Sequence, residues 1–477
     1  MNPILVSIGS VLLVGVELLG MVTAVHAIMS SRTSQGAIAW AIILVIFPFI
    51  SLPAYWIFGQ NKFQGYIEAR RYGDNVLHHM LREVGRDARQ RGLVREDKQD
   101  PNHVLEKLVQ LPFTKYNRAK LLVDGDVTFG AIFDGIDSAE EYIVLQFYIV
   151  RDDELGRELK RRLLMKAAAG VQIYFLYDEI GSYSLPGAYI RAFRDAGVDI
   201  RSFQSTKGFW NRFQLNFRNH RKVAVIDGRI AYVGGLNVGD EYMGRSTRFG
   251  PWRDTHVQIE GPAVHAVQLS FVEDWFWATN DLPELNWKLK AAENGDQDIL
   301  VMPTGPTDRL ETCGLFFIHL INSARRRVWI ASPYFVPDVH VVCALQLAAL
   351  RGVDVRIILP EKPDHILVYL SGFSFLDEAD DAGVKVYRYQ KGFLHHKVIL
   401  VDDRLAGVGT ANLDNRSFRL NFEITVLVDN EQFNKEVTEM LQNDFEQCRA
   451  VKADIFLEKP FLFRLASKVA RLMSPVQ

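Results

Sequence analysis

The chain has 477 residues, a formal net charge of −2 and 48% hydrophobic residues, which is ordinary for a globular protein with room for two or three domains. This charge balance argues against a protein that coats nucleic acid, because such proteins carry a basic domain or stripe. The three cysteines are too few and too widely spaced for a disulfide framework or a zinc cluster.

The first sixty residues have the composition of a membrane segment. Two apolar stretches, Ile4 to Met29 and Gly36 to Phe58, each exceed the roughly 20 residues that a helix needs to cross a bilayer. The short polar link between them predicts a transmembrane helical hairpin. A signal peptide is disfavoured because the first seven residues contain no Lys or Arg and a second apolar stretch follows at once.

Basic residues predict the orientation of this hairpin. Arg32 is the one basic residue of the link, whereas Lys62, Arg70 and Arg71 follow the second stretch closely. Since positive residues favour the cytoplasmic side of a membrane, we expect the rest of the chain to lie in the cytoplasm.

Beyond the hairpin and a charged segment, the chain repeats one unit twice. An apolar strand that ends in Tyr148 recurs 186 positions later and ends in Tyr334, and a turn at Gly197 recurs 186 positions later at Gly383. Short apolar strands alternate with helical segments in both copies. This pattern predicts an α/β fold of two pseudo-twofold-related α/β/α sandwich halves with largely parallel sheets.

We predict five parts in the chain. They are the transmembrane hairpin at 1–60, a charged helical linker at 61–115, the first half at 116–290, the second half at 291–455 and a basic amphipathic C-terminal segment at 456–477. In the last part, Arg464, Lys468 and Arg471 share one helical face and apolar residues occupy the others. That pattern is typical of a helix at a membrane interface, and packing on the domain explains it equally well.

Each half carries the same five residue types, His, Lys, Asp, Gly and Asn, at successive spacings of two, five, seven and three. The first set is His220, Lys222, Asp227, Gly234 and Asn237, and the second is His395, Lys397, Asp402, Gly409 and Asn412. Side chains at positions i and i+2 of a strand point the same way, so the His and Lys of each half should project from one face. Two halves that face each other would bring together a pair of each.

A pair of imidazoles suits a two-step displacement at phosphorus. A neutral His attacks the phosphodiester, and a protonated one donates to the departing alkoxide and later acts as base. An ordinary pKa near 6.5 allows both forms at neutral pH. Lys222, Asn237, Lys397 and Asn412 are candidates for binding the phosphate oxygens, and lysines in this role remove the need for a metal.

The two sets resemble the paired His-Lys-Asp motifs of the phospholipase D superfamily. The resemblance implies a covalent phosphohistidine with no metal and no cofactor, and by it we assign His220 as nucleophile and His395 as acid and base. Asp227 and Asp402 belong to the same catalytic motifs, and holding the turn is the alternative for both.

Two further carboxylates, Asp254 and Glu423, follow the motif histidines by 34 and 28 residues. The resemblance implies that carboxylates at these places orient the catalytic imidazoles. The alternative is that both are surface acids on strands. His396 adjoins His395, and strand alternation places it on the opposite face.

Over nearly the whole chain the sequence is similar to bacterial cardiolipin synthases of the phospholipase D type. The shared stretches are the Tyr-Trp-Ile-Phe-Gly end of the hairpin, Trp252-Arg253-Asp254, Ser332 to Pro337 and Asn412 to Ser417. This similarity implies that phosphatidylglycerol gives its phosphatidyl group to the histidine and releases glycerol. The hydroxyl of a second phosphatidylglycerol then attacks and gives cardiolipin.

The expected location is the bacterial inner membrane, as a multi-pass protein, and the expected partners are phosphatidylglycerol and the bilayer. Nucleic acid is not expected, and a homo-oligomer is left open. The stretch from Lys207 to Arg218 interleaves aromatic and basic residues, which suits an anionic interface, with a hydrophobic loop as the alternative.

Other functions stay open. A phospholipase D hydrolase or another phosphatidyltransferase is the nearest alternative, and phosphatidylethanolamine is an alternative donor. A nuclease is disfavoured because no strong basic stripe is present. A non-catalytic membrane scaffold is disfavoured because both motifs are complete.

Overall fold

The computed structural model describes residues 3–31, 33–59, 66, 83–97, 99–204, 216–451 and 456–477. It divides into two compact units, Met1–Glu68 with Ser205–Phe217 and Val476, and Ala69–Gln204 with Arg218–Pro475 and Gln477. Most of the stretch from Lys207 to Arg218 and much of the predicted linker lie outside the described residues. The five-part division of the chain stays a prediction.

The N-terminal unit contains three helices, α1 (Pro3–Ser30), α2 (Ser34–Ile46) and α3 (Pro48–Phe58). The part of α1 from Ser10 to Ser30 is the one helix among the described residues that is long and apolar enough to cross a membrane. Helix α1 packs against both α2 and α3. Gly20 allows this close approach, because a Cβ there would lie 2.5 Å from the carbonyl oxygen of Leu44.

The second apolar stretch is not the single helix that the sequence predicts. It is broken between Phe47, whose φ of −129° and ψ of 58° are not helical, and Pro48, which begins α3. Proline has no N–H to donate and its ring disfavours helical geometry in the residue before it. The predicted second span is therefore two helices of 13 and 11 residues.

The second unit holds the duplicated part of the chain. The strands of its first half are β1 (Thr114–Val123), β2 (Tyr142–Phe147), β3 (Gln172–Asp178), β4 (Asp199–Phe203), β5 (Arg218–Asn219), β6 (Val223–Ile226), β7 (Ile230–Gly234), β8 (Trp252–Arg253) and β9 (Thr255–Glu260). Those of the second half are β10 (Gln297–Thr304), β11 (Arg327–Ala331), β12 (Phe335–Val336), β13 (Asp354–Pro360), β14 (Lys385–Tyr389), β15 (Phe393–Leu394), β16 (Val398–Val401), β17 (Leu405–Gly409), β18 (Leu413–Asp414), β19 (Asn421–Asp429) and β20 (Cys448–Ala450).

Helices cover the strands of both halves. They are α4 (His103–Val109), α5 (Asp124–Ser138), α6 (Glu154–Ala168), α7 (Gly187–Asp195), α8 (Val264–Thr279), α9 (Thr312–Ser323), α10 (Val339–Leu350), α11 (Ile366–Asp380), α12 (Asn415–Arg419), α13 (Glu431–Glu446) and α14 (Phe461–Arg471). There are also two 3₁₀ helices, Asp240–Met243 and Ser474–Val476, and residues 83–90 are helical.

Strand order repeats between the halves. The first half runs β1-β9-β7-β6-β2-β3-β4, and the second runs β10-β19-β17-β16-β11-β13-β14 and ends on β20. Strands β1 and β10 pair antiparallel and join the two halves into one continuous sheet. The predicted duplication is thus visible in the topology.

The expectation of largely parallel sheets is wrong. Parallel pairing in this sheet is limited to β2-β3-β4, β11-β13-β14 and the short pair of β5 with β19, and the motif strands β6 and β16 pair antiparallel with both neighbours. Parallel neighbours need a long crossover connection, whereas a tight turn at Asp227 and Gly228 joins β6 directly to β7.

Each half packs helices on both faces of its strands. In the first half, Ile173 and Phe175 of β3 point into a core shared with α5, α6 and α7, while Tyr174 between them contacts Trp275 of α8 with ring centroids 5.4 Å apart. In the second half, Trp329 of β11 contacts Phe445 of α13 at 5.2 Å. This alternation buries both faces and confirms the predicted α/β/α sandwich.

Candidate active site

The motif histidines and lysines lie where each half meets the other. His220 and Lys222 stand between β5 and β6, and His395 and Lys397 stand between β15 and β16. Strand β5 pairs parallel with the start of β19 from the second half, and β15 pairs parallel with β8 from the first half. These two short strand pairs hold the backbone of each histidine against a strand of the opposite half.

The exchange is specific at the histidines themselves. The N–H of His220 donates to the carbonyl oxygen of Phe422 at 2.9 Å, and the N–H of His395 donates to the carbonyl oxygen of Arg253 at 2.7 Å. The residue that follows each acceptor is one of the two carboxylates predicted to orient the imidazoles, Glu423 or Asp254.

Each carboxylate binds the histidine of the other half. Glu423 Oε2 lies 2.9 Å from Nδ1 of His220, and Asp254 Oδ2 lies 2.7 Å from Nδ1 of His395. Both carboxylate side chains are fully buried. An ionised carboxylate can only accept, so Nδ1 of His220 carries the proton and its Nε2 keeps the lone pair. Nδ1 of His395 lies 2.9 Å from Lys397 Nζ as well as 2.7 Å from the carboxylate, and the shorter contact favours the same tautomer there. Sequence spacing does not reveal that the partners are exchanged between halves.

Further contacts hold the two carboxylates. Glu423 Oε1 accepts from Ser417 Oγ at 2.8 Å and from Asn421 Nδ2 at 3.0 Å. Asp254 Oδ1 accepts from the N–H of Thr255 at 2.8 Å. Burial favours a raised pKa at Asp254, but Lys397 and His395 outweigh it and hold the pKa of this carboxyl well below its usual range.

Both lysines are buried beside their histidines. Lys222 Nζ donates to the carbonyl oxygen of His220 at 2.6 Å, and Lys397 Nζ donates to that of His395 at 2.5 Å. Burial lowers the pKa of Lys222 well below its ordinary value and lowers the pKa of Lys397 to about 8, although the site carboxylates oppose both shifts. An anion that enters the site would therefore favour the charged ammonium forms.

Burial also changes the protonation of the histidines. It lowers the pKa of His220 to about 4, against an opposing effect of Glu423, and it lowers the pKa of His395 to about 4 with Lys397 adding to the effect. Both rings are then neutral near pH 7 in the substrate-free protein. The expectation that an ordinary pKa near 6.5 leaves one of them protonated at rest is wrong, because burial and the neighbouring ammonium groups disfavour imidazolium.

The two motif asparagines differ. Asn237 Oδ1 accepts from the N–H of Ile149 at 3.0 Å, and its Nδ2 donates to the hydroxyl of Tyr242 at 3.2 Å, so this amide braces the loop after β2. The buried Oδ1 of Asn412 has no hydrogen-bond partner among the described residues. The side-chain amide of Asn237 is therefore held by two hydrogen bonds within the protein, whereas the amide oxygen of Asn412 accepts none from the described residues.

The motif aspartates lie away from this cluster, so a catalytic role for them stays a prediction without a supporting contact. Asp227 is five residues beyond Lys222 at the far end of β6, roughly 16 Å away at the rise of a strand. Its carboxylate accepts from the N–H groups of Glu140, Glu141 and Tyr142 at 2.8–2.9 Å.

Asp402 makes the corresponding contacts in the second half. Its carboxylate accepts from the N–H groups of Arg325, Arg326 and Arg327 at 2.8–3.2 Å. Asp227 and Asp402 have φ values of 51° and 49°, in the left-handed region that aspartate tolerates. Both carboxylates hold a turn, which was the alternative that the sequence left open.

Sequence reasoning missed aromatic groups against both histidines. The ring of Tyr148 meets that of His220 edge-on at 5.2 Å, and Trp252 lies 5.0 Å from His395, with Phe393 at 5.9 Å. The recurrence of Tyr148 as Tyr334 marked the strand ends but not this contact. These rings exclude water and contribute to the burial that keeps the imidazoles neutral.

A buried basic residue lies behind each motif histidine. Arg221 donates to Asp274 Oδ2 at 2.8 Å in the first half. His396 contacts Asp444 Oδ2 through Nε2 at 3.1 Å, and Arg253 donates to the other oxygen of that carboxylate at 2.8 Å. His396 faces away from the site, as strand alternation predicts. The position after each motif histidine was the available signal for these pairs.

Among the described residues, no group of three or more His, Cys, Asp or Glu side chains has the arrangement of a metal site.

Comparison with known proteins gives the family. A family model described as "Cardiolipin synthase, PLD-like domain" matches residues 132–260 and 317–448, and one described as "Phospholipase_D-nuclease N-terminal" matches residues 18–60. Cardiolipin synthase A of Pseudomonas entomophila is 48% identical over 466 residues, covering 97% of each chain. Cardiolipin synthase A of Pseudomonas syringae pv. syringae is 48% identical over 464 residues and again covers 97% of each chain.

Solved structures agree on the fold. The phosphatidylserine synthase of Haemophilus influenzae superposes with a TM-score of 0.61 at 15% identity, over 79% of this chain and 100% of that one. The polyphosphate kinase of Porphyromonas gingivalis reaches a TM-score of 0.50 at 14% identity, over 77% of this chain and 55% of that one. The duplicated matches and the near full-length relatives together place this chain in the cardiolipin synthase family of phospholipase D-type phosphatidyltransferases.

Proposed function

We propose that this chain makes cardiolipin by transferring a phosphatidyl group from one phosphatidylglycerol to a second, with release of glycerol. The observation that supports it best is the exchange of carboxylates. Glu423 and Asp254 hold His220 and His395 by Nδ1 and leave two Nε2 lone pairs beside two buried lysines. An acceptor hydroxyl from a second lipid, in place of water, completes the transfer.

In the first step, Nε2 of neutral His220 attacks the phosphorus of the donor lipid. A P–N bond forms, the P–O bond to glycerol breaks, and His395 gives its proton to the departing alkoxide. Because both rings are neutral before substrate binds, His395 takes up that proton from solvent when the anionic phosphodiester binds, since the negative charge favours an imidazolium nearby. Lys222 and Lys397 stabilise the charge on the phosphoryl oxygens.

In the second step, neutral His395 takes the proton from the terminal hydroxyl of the acceptor phosphatidylglycerol. The acceptor oxygen attacks phosphorus, the P–N bond breaks, and cardiolipin leaves with His220 restored. One phosphodiester replaces another in the overall exchange, so no nucleotide is needed.

The electrostatic balance at each ring supports this division of roles. After burial, the strongest influence on His220 is the carboxylate of Glu423, which stabilises the positive charge that develops as Nε2 attacks. After burial, the strongest influence on His395 is the ammonium of Lys397, which makes its imidazolium a stronger acid. Asn412, with its less committed amide, is the better candidate of the two asparagines for contact with the phosphate.

The test uses a phosphatidyl donor whose nitrophenolate leaving group needs no proton. His395→Ala should release one nitrophenolate per enzyme in a burst and then stall, because the second step lacks its base. His220→Ala should give no burst. A burst in His220→Ala alone would reverse the roles. Steady release without a burst in both the parent and His395→Ala would argue against the covalent intermediate.

Product analysis tests the acceptor. With labelled phosphatidylglycerol in vesicles, we expect cardiolipin and free glycerol in equal amounts, and excess glycerol should drive the reaction backwards. Phosphatidic acid without cardiolipin would identify a hydrolase.

We further propose that the N-terminal helices form a hairpin in the inner membrane, with the catalytic part in the cytoplasm. The excess of basic residues after Phe58 supports this orientation. A green fluorescent protein joined after Gln477 should fluoresce, and alkaline phosphatase at the same place should be inactive. The opposite pair of results would place the catalytic part outside the cytoplasm.

A further inference from the structure

Helix α14 is fastened to the second half by one narrow face. Ser467 and Ala470 on this face are buried, and the helix packs along α11. Arg471 donates to Glu378 Oε2 at 3.0 Å, and the ring of Phe463 meets that of Phe373 edge-on at 5.1 Å. These contacts fix which side of α14 faces outward.

The outward side is apolar. Its residues are Phe461, Leu462, Leu465, Val469, Leu472 and Met473, with exposures of 67%, 75%, 48%, 56%, 78% and 47%. At 100° per residue they fall within one arc of about 120°, so they form a continuous stripe rather than scattered contacts. An apolar stripe of this width on an otherwise folded surface indicates an interaction site.

Cations flank this stripe. Arg464 and Lys468 lie along one edge of the helix, between the apolar arc and the face that packs on α11. Residues 456–477 contain four basic side chains and one acidic side chain, Glu458. An apolar face bordered by cations matches the interface of a bilayer that contains anionic phospholipid, with acyl chains beneath phosphate groups.

The helix is also connected to the active site. Beyond α14 the chain returns so that the carbonyl oxygen of Gln477 accepts from the N–H of Arg416 at 2.7 Å. Arg416 is followed by Ser417, whose hydroxyl binds the carboxylate that orients His220. Two hydrogen bonds therefore connect the segment that follows α14 to Glu423.

Helix α11, on which α14 rests, begins beside the site and is apolar at its exposed start. Ile366 and Leu367 are 63% and 52% exposed. Asp364, two residues before α11, accepts from the hydroxyl of Tyr334 at 2.5 Å. Exposed apolar residues thus occur both at α14 and close to the cleft that holds the histidines.

We propose that the apolar stripe of α14 is a membrane-docking surface, which inserts into the interface of a bilayer rich in anionic phospholipid and holds the catalytic cleft against it. The proposed function supplies the lipid substrate, but the docking can be measured without turnover. A second copy of the chain is the competing occupant.

Depth measurement tests the docking directly. In full-length protein with Cys343→Ser and Cys448→Ser, Leu465→Cys carries an environment-sensitive dye, and Lys435→Cys on α13 carries it in the control. After reconstitution into vesicles of phosphatidylglycerol and phosphatidylethanolamine, lipids with a quencher below the headgroup should quench the dye at position 465 and not the dye at 435. Equal quenching at both positions, or none at 465, would overturn the proposal.

A kinetic comparison tests what docking does. Leu462→Ser/Leu465→Ser/Val469→Ser should lower turnover of vesicle lipid by about tenfold and leave turnover of a short-chain, water-soluble phosphatidylglycerol unchanged. The matched control, Val339→Ser/Leu347→Ser/Leu350→Ser, removes three residues of α10 that are 55%, 52% and 73% exposed, and should change neither rate.

Other outcomes have definite meanings. Equal loss on both substrates would assign the stripe to stability or catalysis and overturn docking, and thermal midpoints distinguish those two roles. Disulfide cross-linking between two copies through Leu465→Cys in vesicles would identify a second copy as the occupant. If the parent makes no cardiolipin, the proposed function fails, while dye quenching still reports on docking.

Discussion

The two halves share a topology but give their histidines different surroundings. Burial lowers the pKa of both rings. The next strongest influence on His220 is Glu423, which raises the pKa, whereas for His395 it is Lys397, which lowers the pKa, followed by Asp254, which raises it. Behind the first lies a permanent cation, Arg221, and behind the second lies a histidine, His396. Duplication supplies the paired geometry, and the local differences give the two imidazoles different electrostatic surroundings.

The exchanged carboxylates should give the largest effects. Glu423→Gln and Asp254→Asn keep the shape of each side chain but lose the charge that fixes the imidazole, so we expect overall turnover to fall roughly 10²–10⁴-fold. With the nitrophenyl donor, Glu423→Gln should lose the burst through its effect on His220. Asp254→Asn should keep the burst and lose later turnover.

Asp354→Asn is the control, because Asp354 at the start of β13 pairs with the exposed Lys385 at the start of β14. It should leave both phases intact. If Asp254→Asn removed the burst and Glu423→Gln spared it, each carboxylate would act on the histidine of its own half, against the observed exchange.

The buried residues behind the motif histidines, Arg221 and His396, should contribute different amounts to the free energy of unfolding. Arg221→Met leaves the fully buried Asp274 without its guanidinium, which we expect to lower the free energy of unfolding by about 3–5 kcal/mol. His396→Gln leaves Arg253 bound to Asp444 and should cost about 1–2 kcal/mol. Denaturant titrations in detergent measure both, and equal losses would show that the two pairs are equivalent.

The motif aspartates should act on stability and not on chemistry. Asp402→Asn weakens the acceptor for three backbone N–H groups, so we expect a loss of about 1–2 kcal/mol in the free energy of unfolding. Asp227→Asn should behave in the same way. Turnover of folded enzyme should stay within about twofold, since neither carboxylate reaches the histidines. A hundredfold loss of turnover at unchanged stability would return these residues to the catalytic group.

Acid should destabilise the substrate-free protein through the site. Burial lowers the pKa of His220 and His395 to about 4. Between pH 6.5 and 4, these histidines therefore bind protons in the unfolded chain but stay neutral in the folded chain. Stability from these rings is complete above pH 6.5 and is lost as pH falls from 6.5 towards 4. The thermal midpoint should fall across this interval, less steeply in His220→Gln/His395→Gln. An equal slope in that variant would show that other groups dominate.

Much of the architecture could be predicted from the sequence because duplication repeats information. Two copies of one spacing identified His220, Lys222, His395 and Lys397, and the recurrent strand ends located the halves. Hydrophobic patterning does not encode strand direction, so the antiparallel motif strands were missed. One proline, Pro48, was enough to break a stretch whose composition favours a single helix.

The sequence could not show which side chains of the site lie close together in the folded protein. The histidines and their carboxylates are separated by 203 and 141 positions, and such pairs are decided by how the halves meet. The pKa values depend on burial by both halves and cannot be assigned from residue type. Asp227 and Asp402 share the motif with the site residues yet lie at the far strand ends, because a motif records sequence neighbours and not neighbours in space.

The exchange of carboxylates also makes both histidines depend on the contact between the halves. If the contact between the halves loosened, Glu423 would separate from His220 and Asp254 would separate from His395 at the same time. Both imidazoles would then lose the contact that fixes their tautomer. Under the proposed mechanism, a partly opened chain would lose activity at both histidines together. Activity would therefore depend on the contact between the halves as well as on the residues of either half.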